Sequence, residues 1–229
     1  MRIIIHACPS RMWYVENFLS PALEAQGIDP GDVLVWNDEE GRGNLFSFAE
    51  SCRYLGGFAG GTWHLQDDVV VSRDFAERAR ALEAEYPDKV ICGFCFPVGN
   101  MEVNCRGRVP VPMMWWSFQC IYIPNALAGG FARWFLEDAQ FWGRYREKVE
   151  DRKHDDWFFK EYMMFLHKDE TVECVVPNLA DHIDYLIGGT VLTPLRARKV
   201  NHGVYWAEPE TVEALAKALE QYRKADSKQ

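Results

Sequence analysis

The chain has 229 residues, of which 48% are hydrophobic and 26% are charged, and its formal net charge is −9 at pH 7. This composition is typical of a globular protein and excludes disordered, collagen-like and coiled-coil chains. The negative charge disfavours nucleic-acid binding, which needs clustered Lys and Arg. No apolar run reaches the roughly 18 residues of a membrane-spanning helix, so no transmembrane segment is expected. Seven scattered cysteines favour reduced thiols and a cytoplasmic location.

Up to residue 95, short apolar runs alternate with segments of helical periodicity, which is typical of βαβ units and a parallel sheet. Strands are predicted over 3–8, 32–36, 62–66 and 89–95. Helices are predicted over 15–23, 45–55 and 73–86 between them.

The segment 96–114 shows no periodicity and is predicted to be a long loop. Strands are predicted again over 116–123 and 171–176, and helices after Pro124 and over 155–167 and 209–225. The segment 178–189 is predicted to be a loop. With no linker or internal repeat, the pattern predicts a single α/β domain over 1–229.

Asp67 and Asp68 directly follow the third predicted strand. In open α/β sheets, ligands bind at the carboxyl ends of the strands. Two carboxylates there form an oxygen site suited to Mg²⁺ or Mn²⁺, with substrate phosphate oxygens completing the coordination. The alternative is a solvated turn, which is the more common fate of an Asp-Asp pair.

A second acidic pair, Asp155 and Asp156, stands at the start of a predicted helix. Aspartate is favoured there because its side chain accepts hydrogen bonds from the first backbone N–H groups. A carboxylate in this position can also take a proton from a substrate hydroxyl. The sequence leaves both interpretations open.

Four further side chains are candidates for contact with a ligand. A neutral imidazole at His182 could bind Mn²⁺ and a protonated one could bind phosphate, although a structural histidine is the alternative. Trp115, Trp116 and Trp206 end or follow long loops, where an indole face could stack on a sugar or base. Core packing is the more common role of tryptophan.

Cys92 and Cys95 have the spacing of a CxxC motif. If both lie on one strand, their side chains point to opposite faces, and no second CxxC completes a zinc site. The sequence therefore predicts packing thiols rather than a metal or redox centre.

The order of these motifs resembles that of GT-A-type glycosyltransferases, especially small bacterial and phage-associated members. The resemblance covers nearly the whole chain and is carried by Arg11, by LQDDV at 65–69, by DDW at 155–157 and by VPNLADHI at 176–183. It implies a Rossmann-like GT-A fold whose mostly parallel central sheet is flanked by helices. A nucleotide-binding half, about 1–95, would be joined to an acceptor half, about 96–229, that ends in a C-terminal helix.

The resemblance also implies the reaction and the cofactor. The chain would be a metal-dependent glycosyltransferase that uses Mn²⁺ or Mg²⁺. It would move a sugar from a nucleotide-diphosphate sugar, with a UDP-sugar as the expected donor, to a hydroxyl of a saccharide or other acceptor.

Individual residues receive roles from the same resemblance. Gln66, Asp67 and Asp68 occupy the place of the family's acidic motif, which binds the metal and the nucleotide-sugar diphosphate. Its first acidic position is either Gln66 or shifted to Asp67, so that Asp68 is the expected metal ligand, with Asp67 as a further one. The remaining implied roles are metal or diphosphate binding for His182, nucleotide binding for Arg11 and Asp38, and the catalytic base for Asp156 with Asp155 as its rival.

Two other functions stay open at this point. A sugar-phosphate nucleotidyltransferase shares this type of fold, but residues 7–11 after the first strand contain no glycine for a phosphate loop. A non-catalytic nucleotide- or carbohydrate-binding module is the alternative from a different class. The two acidic pairs and His182 disfavour it without excluding it.

Overall fold

The computed structural model describes residues 1–95, 107–110, 118–138, 155–187 and 209–226. These residues form the strands β1 (Arg2–Ala7), β2 (Val33–Asn37), β3 (Gly61–Gln66), β4 (Val69–Val71), β5 (Ile91–Cys92), β6 (Gly107–Pro110), β7 (Cys120–Pro124), β8 (Thr171–Cys174) and β9 (Ala180–His182).

Within these ranges, the main sheet has seven strands in the order β2-β1-β3-β7-β5-β8-β6. The pairs β1–β2, β1–β3 and β5–β8 are parallel. The pairs β3–β7, β5–β7 and β6–β8 are antiparallel. Five of the seven strands therefore run in one direction, and only β7 and β6 run in the other, so the predicted mostly parallel sheet is confirmed.

Helices pack on both faces of this sheet. The first, α1, is a continuous helical segment built from the turns Pro9–Arg11, Met12–Tyr14, Val15–Leu19 and Ser20–Glu24. It is followed by α2 (Asn44–Leu55), α3 (Phe75–Glu85), α4 (Asn125–Glu137), α5 (Asp155–Leu166), α6 (Asp184–Ile187) and α7 (Pro209–Asp226). No described helix combines the length and the apolar character that a membrane span requires.

Two buried clusters lie on the two sides of the sheet, because neighbouring residues of a strand point to opposite faces. Ile121 belongs to the cluster that includes side chains of α2, α4 and α5, while Tyr122 belongs to the cluster that includes side chains of α1, α3 and α7. Burial on both faces explains why β1 and β7 are mainly continuous apolar runs rather than alternating ones.

Two segments differ from the sequence prediction. Residues 107–110, predicted to lie in a long loop, form β6. The segment 178–189, also predicted as a loop, contains β9 and α6. The strand β9 pairs antiparallel with β4 in a separate two-stranded sheet. Strands of three residues are too short to show a periodicity, which is why the sequence does not reveal this pair.

The geometric argument about Cys92 and Cys95 was also wrong. The predicted strand 89–95 ends at Cys92, and Cys95 follows it after a bend. Both side chains are therefore buried in the same core cluster rather than on opposite faces. The predicted role as packing residues agrees with this burial.

Candidate functional site

The candidate site lies at the carboxyl ends of β1, β2 and β3. These strands are parallel, so the residues that follow them meet at one edge of the sheet. The backbone N–H of Asp67 donates to the carbonyl of His6 at 3.0 Å, and the N–H of Asp38 donates to the carbonyl of Ala7 at 2.9 Å. The connections after all three strands are therefore held side by side.

Arg11 lies at the centre of the site, in the first turn of α1. Its side chain is only 6% exposed, and its Nη1 donates to Asp67 Oδ1 at 2.6 Å and to Asp68 Oδ2 at 2.7 Å. The second oxygen of Asp67 accepts a hydrogen bond from the backbone N–H of Cys8 at 2.8 Å. One buried guanidinium group thus bridges the two adjacent carboxylates.

The pairing of β4 with β9 brings His182 to the same carboxylates. His182 is the register partner of Val69, and the N–H of Ile183 donates to the carbonyl of Asp68 at 2.8 Å. As a result, Nε2 of His182 lies 3.1 Å from Asp68 Oδ2. The structure therefore brings Arg11, Asp67, Asp68 and His182 together.

The charges of this cluster act on the two carboxylates differently. Burial raises the pKa of Asp67, although the Arg11 charge opposes the rise. Burial acts in the same direction on Asp68, but the attraction of His182 and Arg11 outweighs it and lowers the pKa of Asp68. Asp68 is accordingly held in its ionised form.

The second acidic pair is connected to the first through Gln66. The side-chain amide of Gln66 donates to Asp155 Oδ2 at 3.4 Å, across 89 positions of sequence. Asp155 is 8% exposed. Burial raises its pKa to about 8, with a further contribution from the charge of Asp156. At neutral pH, Asp155 is therefore mainly a carboxylic acid.

Asp156 is the carboxylate of this pair that is better placed to accept a proton. It is partly exposed, and its Oδ1 accepts a hydrogen bond from the backbone N–H of Trp157 at 2.7 Å. The backbone N–H of Asp156 in turn donates to Asp155. Both side chains thus bond to the first turn of α5, as the helix-start interpretation predicted.

Asp38 is placed near β1, but its side chain organises its own loop. Its Oδ1 accepts from the N–H of Arg42 at 2.9 Å and its Oδ2 from the N–H of Gly43 at 2.7 Å. The other predicted contacts, Trp115, Trp116 and Trp206, lie outside the described residues.

A histidine pair next to the site was not predicted. Nε2 of His6 lies 2.9 Å from Nδ1 of His64, and the two rings stack at 5.2 Å. Burial lowers the pKa of His6 to about 4, so its ring is neutral at pH 7. His6 is the register partner of Gln66. The sequence contains an indication of this pair. His64 and Gln66 are polar residues at alternate positions of β3, and His6 interrupts the apolar run of β1.

The carboxylate oxygens of Asp67 and Asp68 do not form a site for a divalent cation in this arrangement. Three of the four carboxylate oxygens are engaged by Arg11, His182 or the N–H of Cys8. The fourth, Asp68 Oδ1, is buried and has no hydrogen-bond partner among the residues that the structure describes. In the described part of the chain, no three His, Cys, Asp or Glu side chains are placed to hold a metal ion.

A mostly parallel α/β sheet with a polar site at the carboxyl ends of its strands defines a Rossmann-like protein, consistent with the expected GT-A fold. The chain matches no family model and no curated protein.

One solved structure that is similar to this chain is the crystal structure of S. aureus TarS 1-349, with a TM-score of 0.49 and 12% identity. The similarity covers 76% of this chain and 58% of the TarS chain. At this identity and TM-score, it carries no argument about activity.

Proposed function

We propose that this protein is a glycosyltransferase that moves a sugar from a nucleotide-diphosphate sugar to a hydroxyl of a saccharide or other acceptor. The observation that carries the proposal is the convergence of Arg11, Asp68, His182 and the Gln66–Asp155 contact. These groups come from four separate segments and meet where α/β proteins bind nucleotides. A UDP-sugar is the donor that we test first.

The two ends of the site have chemically different tasks in this proposal. The donor leaves as a nucleoside diphosphate that takes the electron pair of the broken bond, so positive charge near the diphosphate stabilises the transition state. Arg11 and a protonated His182 would act by donating N–H hydrogen bonds to the diphosphate, since Asp67 and Asp68 largely balance their charges. The acceptor oxygen forms the new bond to the anomeric carbon, and its proton passes to the Asp156 carboxylate. A single displacement of this kind inverts the anomeric centre.

Asp155 keeps its proton in this scheme and positions its neighbours. Its raised pKa makes it a hydrogen-bond donor at neutral pH rather than a base. The Gln66 amide holds it beside the edge of the sheet, at 3.4 Å. The two carboxyl groups therefore divide the roles, with Asp156 as the base and Asp155 as a positioning residue.

The dependence on Mn²⁺ or Mg²⁺ that the resemblance implies stays a prediction. When bound, such an ion would neutralise the leaving diphosphate. No step above depends on it, because Arg11 occupies the carboxylates that would hold the ion. A cytoplasmic location is part of the proposal, since none of the six described cysteines forms a disulfide.

The test is release of nucleoside diphosphate from a panel of UDP-glucose, UDP-N-acetylglucosamine and GDP-mannose, with and without Mn²⁺. The Asp156→Asn variant should lose on the order of 100-fold in turnover, as expected for a removed general base. Its affinity for UDP should change by less than about 3-fold. Asp169→Asn, at an exposed position after α5, is the matched control and should match the wild type.

Two results would contradict the proposal in different ways. Nucleotide binding by calorimetry without turnover of any donor would favour the non-catalytic module. Absence of both binding and turnover would refute the glycosyltransferase assignment itself.

A further inference from the structure

The guanidinium group of Arg11 lies where a bridging cation would lie. Its Nη1 is 2.6 Å from Asp67 Oδ1 and 2.7 Å from Asp68 Oδ2. An Mg²⁺ ion that bridges the same two oxygens would approach each to about 2.1 Å. Ion and guanidinium nitrogen would occupy the same space between the two oxygens, so the ion could bridge them only if Arg11 moved away.

The charges of the cluster lead to the same conclusion. Asp67 and Asp68 carry the negative charges, and Arg11 offsets one of them, while His182 binds the Asp68 oxygen that Arg11 also binds. At most one negative charge therefore remains to attract a free divalent ion, and the ion would have to give up bound water to enter a cluster with so little exposure. An added ion would also have to displace buried hydrogen bonds that involve a charged group, which are among the stronger ones.

Two polar atoms of the cluster form no hydrogen bond with any described residue. Nη2 of Arg11, a donor, and Oδ1 of Asp68, an acceptor, are both buried and have no hydrogen-bond partner in the described part of the chain. Buried polar groups normally have partners, so such a pair suggests a missing ligand. A phosphate oxygen would satisfy Nη2, and a sugar or ribose hydroxyl would satisfy Oδ1.

We infer that Arg11 is the resident cation of this site, in place of a divalent metal, and that it binds the diphosphate of the donor through Nη2 without metal. The identity of this ligand rests on the proposed function, whereas the replacement of the metal rests on the geometry of Arg11, Asp67 and Asp68. The acidic motif thus serves to hold an arginine rather than a metal ion.

The first experiment measures Mn²⁺ binding directly, from the loss of the electron paramagnetic resonance signal of free Mn²⁺ on titration with the full chain. Wild type should bind Mn²⁺ no more tightly than Asp68→Asn. Arg11→Met vacates the gap between the carboxylates and should bind Mn²⁺ at least 10-fold more tightly than wild type. The double variant Arg11→Met/Asp68→Asn should lose this gain.

The second experiment measures the binding of UDP, and of GDP for comparison, by calorimetry in EDTA and in Mn²⁺. The Kd of the wild type should agree within about 3-fold between the two conditions. In EDTA, Arg11→Met should weaken UDP binding at least 10-fold. Arg11→Lys keeps the charge but lacks the second nitrogen. Its affinity for UDP in EDTA should therefore lie between those of the wild type and Arg11→Met, and it should gain no Mn²⁺ site.

The outcomes separate this inference from the proposed function. Mn²⁺ binding by the wild type that Asp68→Asn weakens 10-fold, or UDP binding that requires Mn²⁺, would overturn the inference and leave the glycosyltransferase proposal intact. If UDP and GDP bind under neither condition, the diphosphate ligand is wrong, and the proposed function fails with it. The wild-type titrations decide the matter even if Arg11→Met does not fold.

Discussion

Replacing Arg11 with methionine should destabilise the fold by about 3–5 kcal/mol at pH 7. The change keeps the aliphatic length but removes the charge between two buried carboxylates. Breaking a buried ion pair by removing one partner costs about this much, because a charge without compensation remains inside the protein. The side chains of Arg11, Asp67 and Asp68 are 6%, 7% and 4% exposed, so solvent cannot compensate for the loss.

The structure supports this magnitude independently. Arg11 makes two hydrogen bonds to carboxylates, at 2.6 and 2.7 Å, and hydrogen bonds to charged groups contribute about 1.5–3 kcal/mol each. Their sum is about 3–6 kcal/mol, and protonation of Asp67, whose pKa burial already raises, relieves part of it. For a domain of this size, each kcal/mol lowers the Tm by about 2–4 °C, so a fall of about 10 °C is expected.

Urea denaturation followed by tryptophan fluorescence and circular dichroism measures this effect. Arg53→Met is the matched control, because Arg53 is 59% exposed and forms only a surface ion pair with Glu50 at 3.3 Å. Its loss should cost at most about 1 kcal/mol. The double variant Arg11→Met/Asp68→Asn should recover part of the stability. If Arg11→Met costs no more than Arg53→Met, the carboxylates are not held by Arg11 and the reasoning is refuted.

Three further outcomes are expected from purified variants in urea denaturation. The raised pKa of Asp155 stabilises the protonated form in the folded state, so its stabilising contribution is complete below about pH 4 and lost as the pH rises towards about 8. The free energy of unfolding of Asp155→Asn, relative to that of the wild type, should therefore rise by at least about 1 kcal/mol between pH 5 and pH 8. If this difference between variant and wild type does not change with pH, the pKa of Asp155 is not raised. Gly129→Ala should cost about 1–3 kcal/mol, because its Cβ would lie 2.9 Å from Gly56 Cα; the control Gly57→Ala, with its nearest contact at 3.7 Å, should cost less than about 1 kcal/mol. Asn125→Ala should cost about 1–3 kcal/mol by leaving the buried hydroxyl of Thr62 without its acceptor at 2.8 Å, and an equally stable variant would show that this bond contributes little.

The sequence by itself determined the elements that carry strong local signals. The short strand-like segments at β1, β2 and β3 and the helical periodicity between them predict parallel strands, because such an alternation is typical of βαβ units. The position of Asp67 and Asp68 after β3, and of Asp155 at the start of α5, follows from the same local patterns. These predictions succeeded because burial periodicity and helix capping depend on neighbours in the chain.

Only the tertiary structure decided how those residues are combined. The three-residue strands β4 and β9 bring His182 to within 3.1 Å of Asp68, although strands so short leave no pattern in the sequence. The insertion of Arg11 between the carboxylates, and the contact of Gln66 with Asp155, join residues 56, 57 and 89 positions apart. Such contacts depend on register and on where the chain returns to the sheet. The sequence predicted a carboxylate pair at the end of a strand, but the packing of α1 against β4, where Tyr14 donates to the carbonyl of Val69 at 2.8 Å, determined that an arginine lies between the two carboxylates.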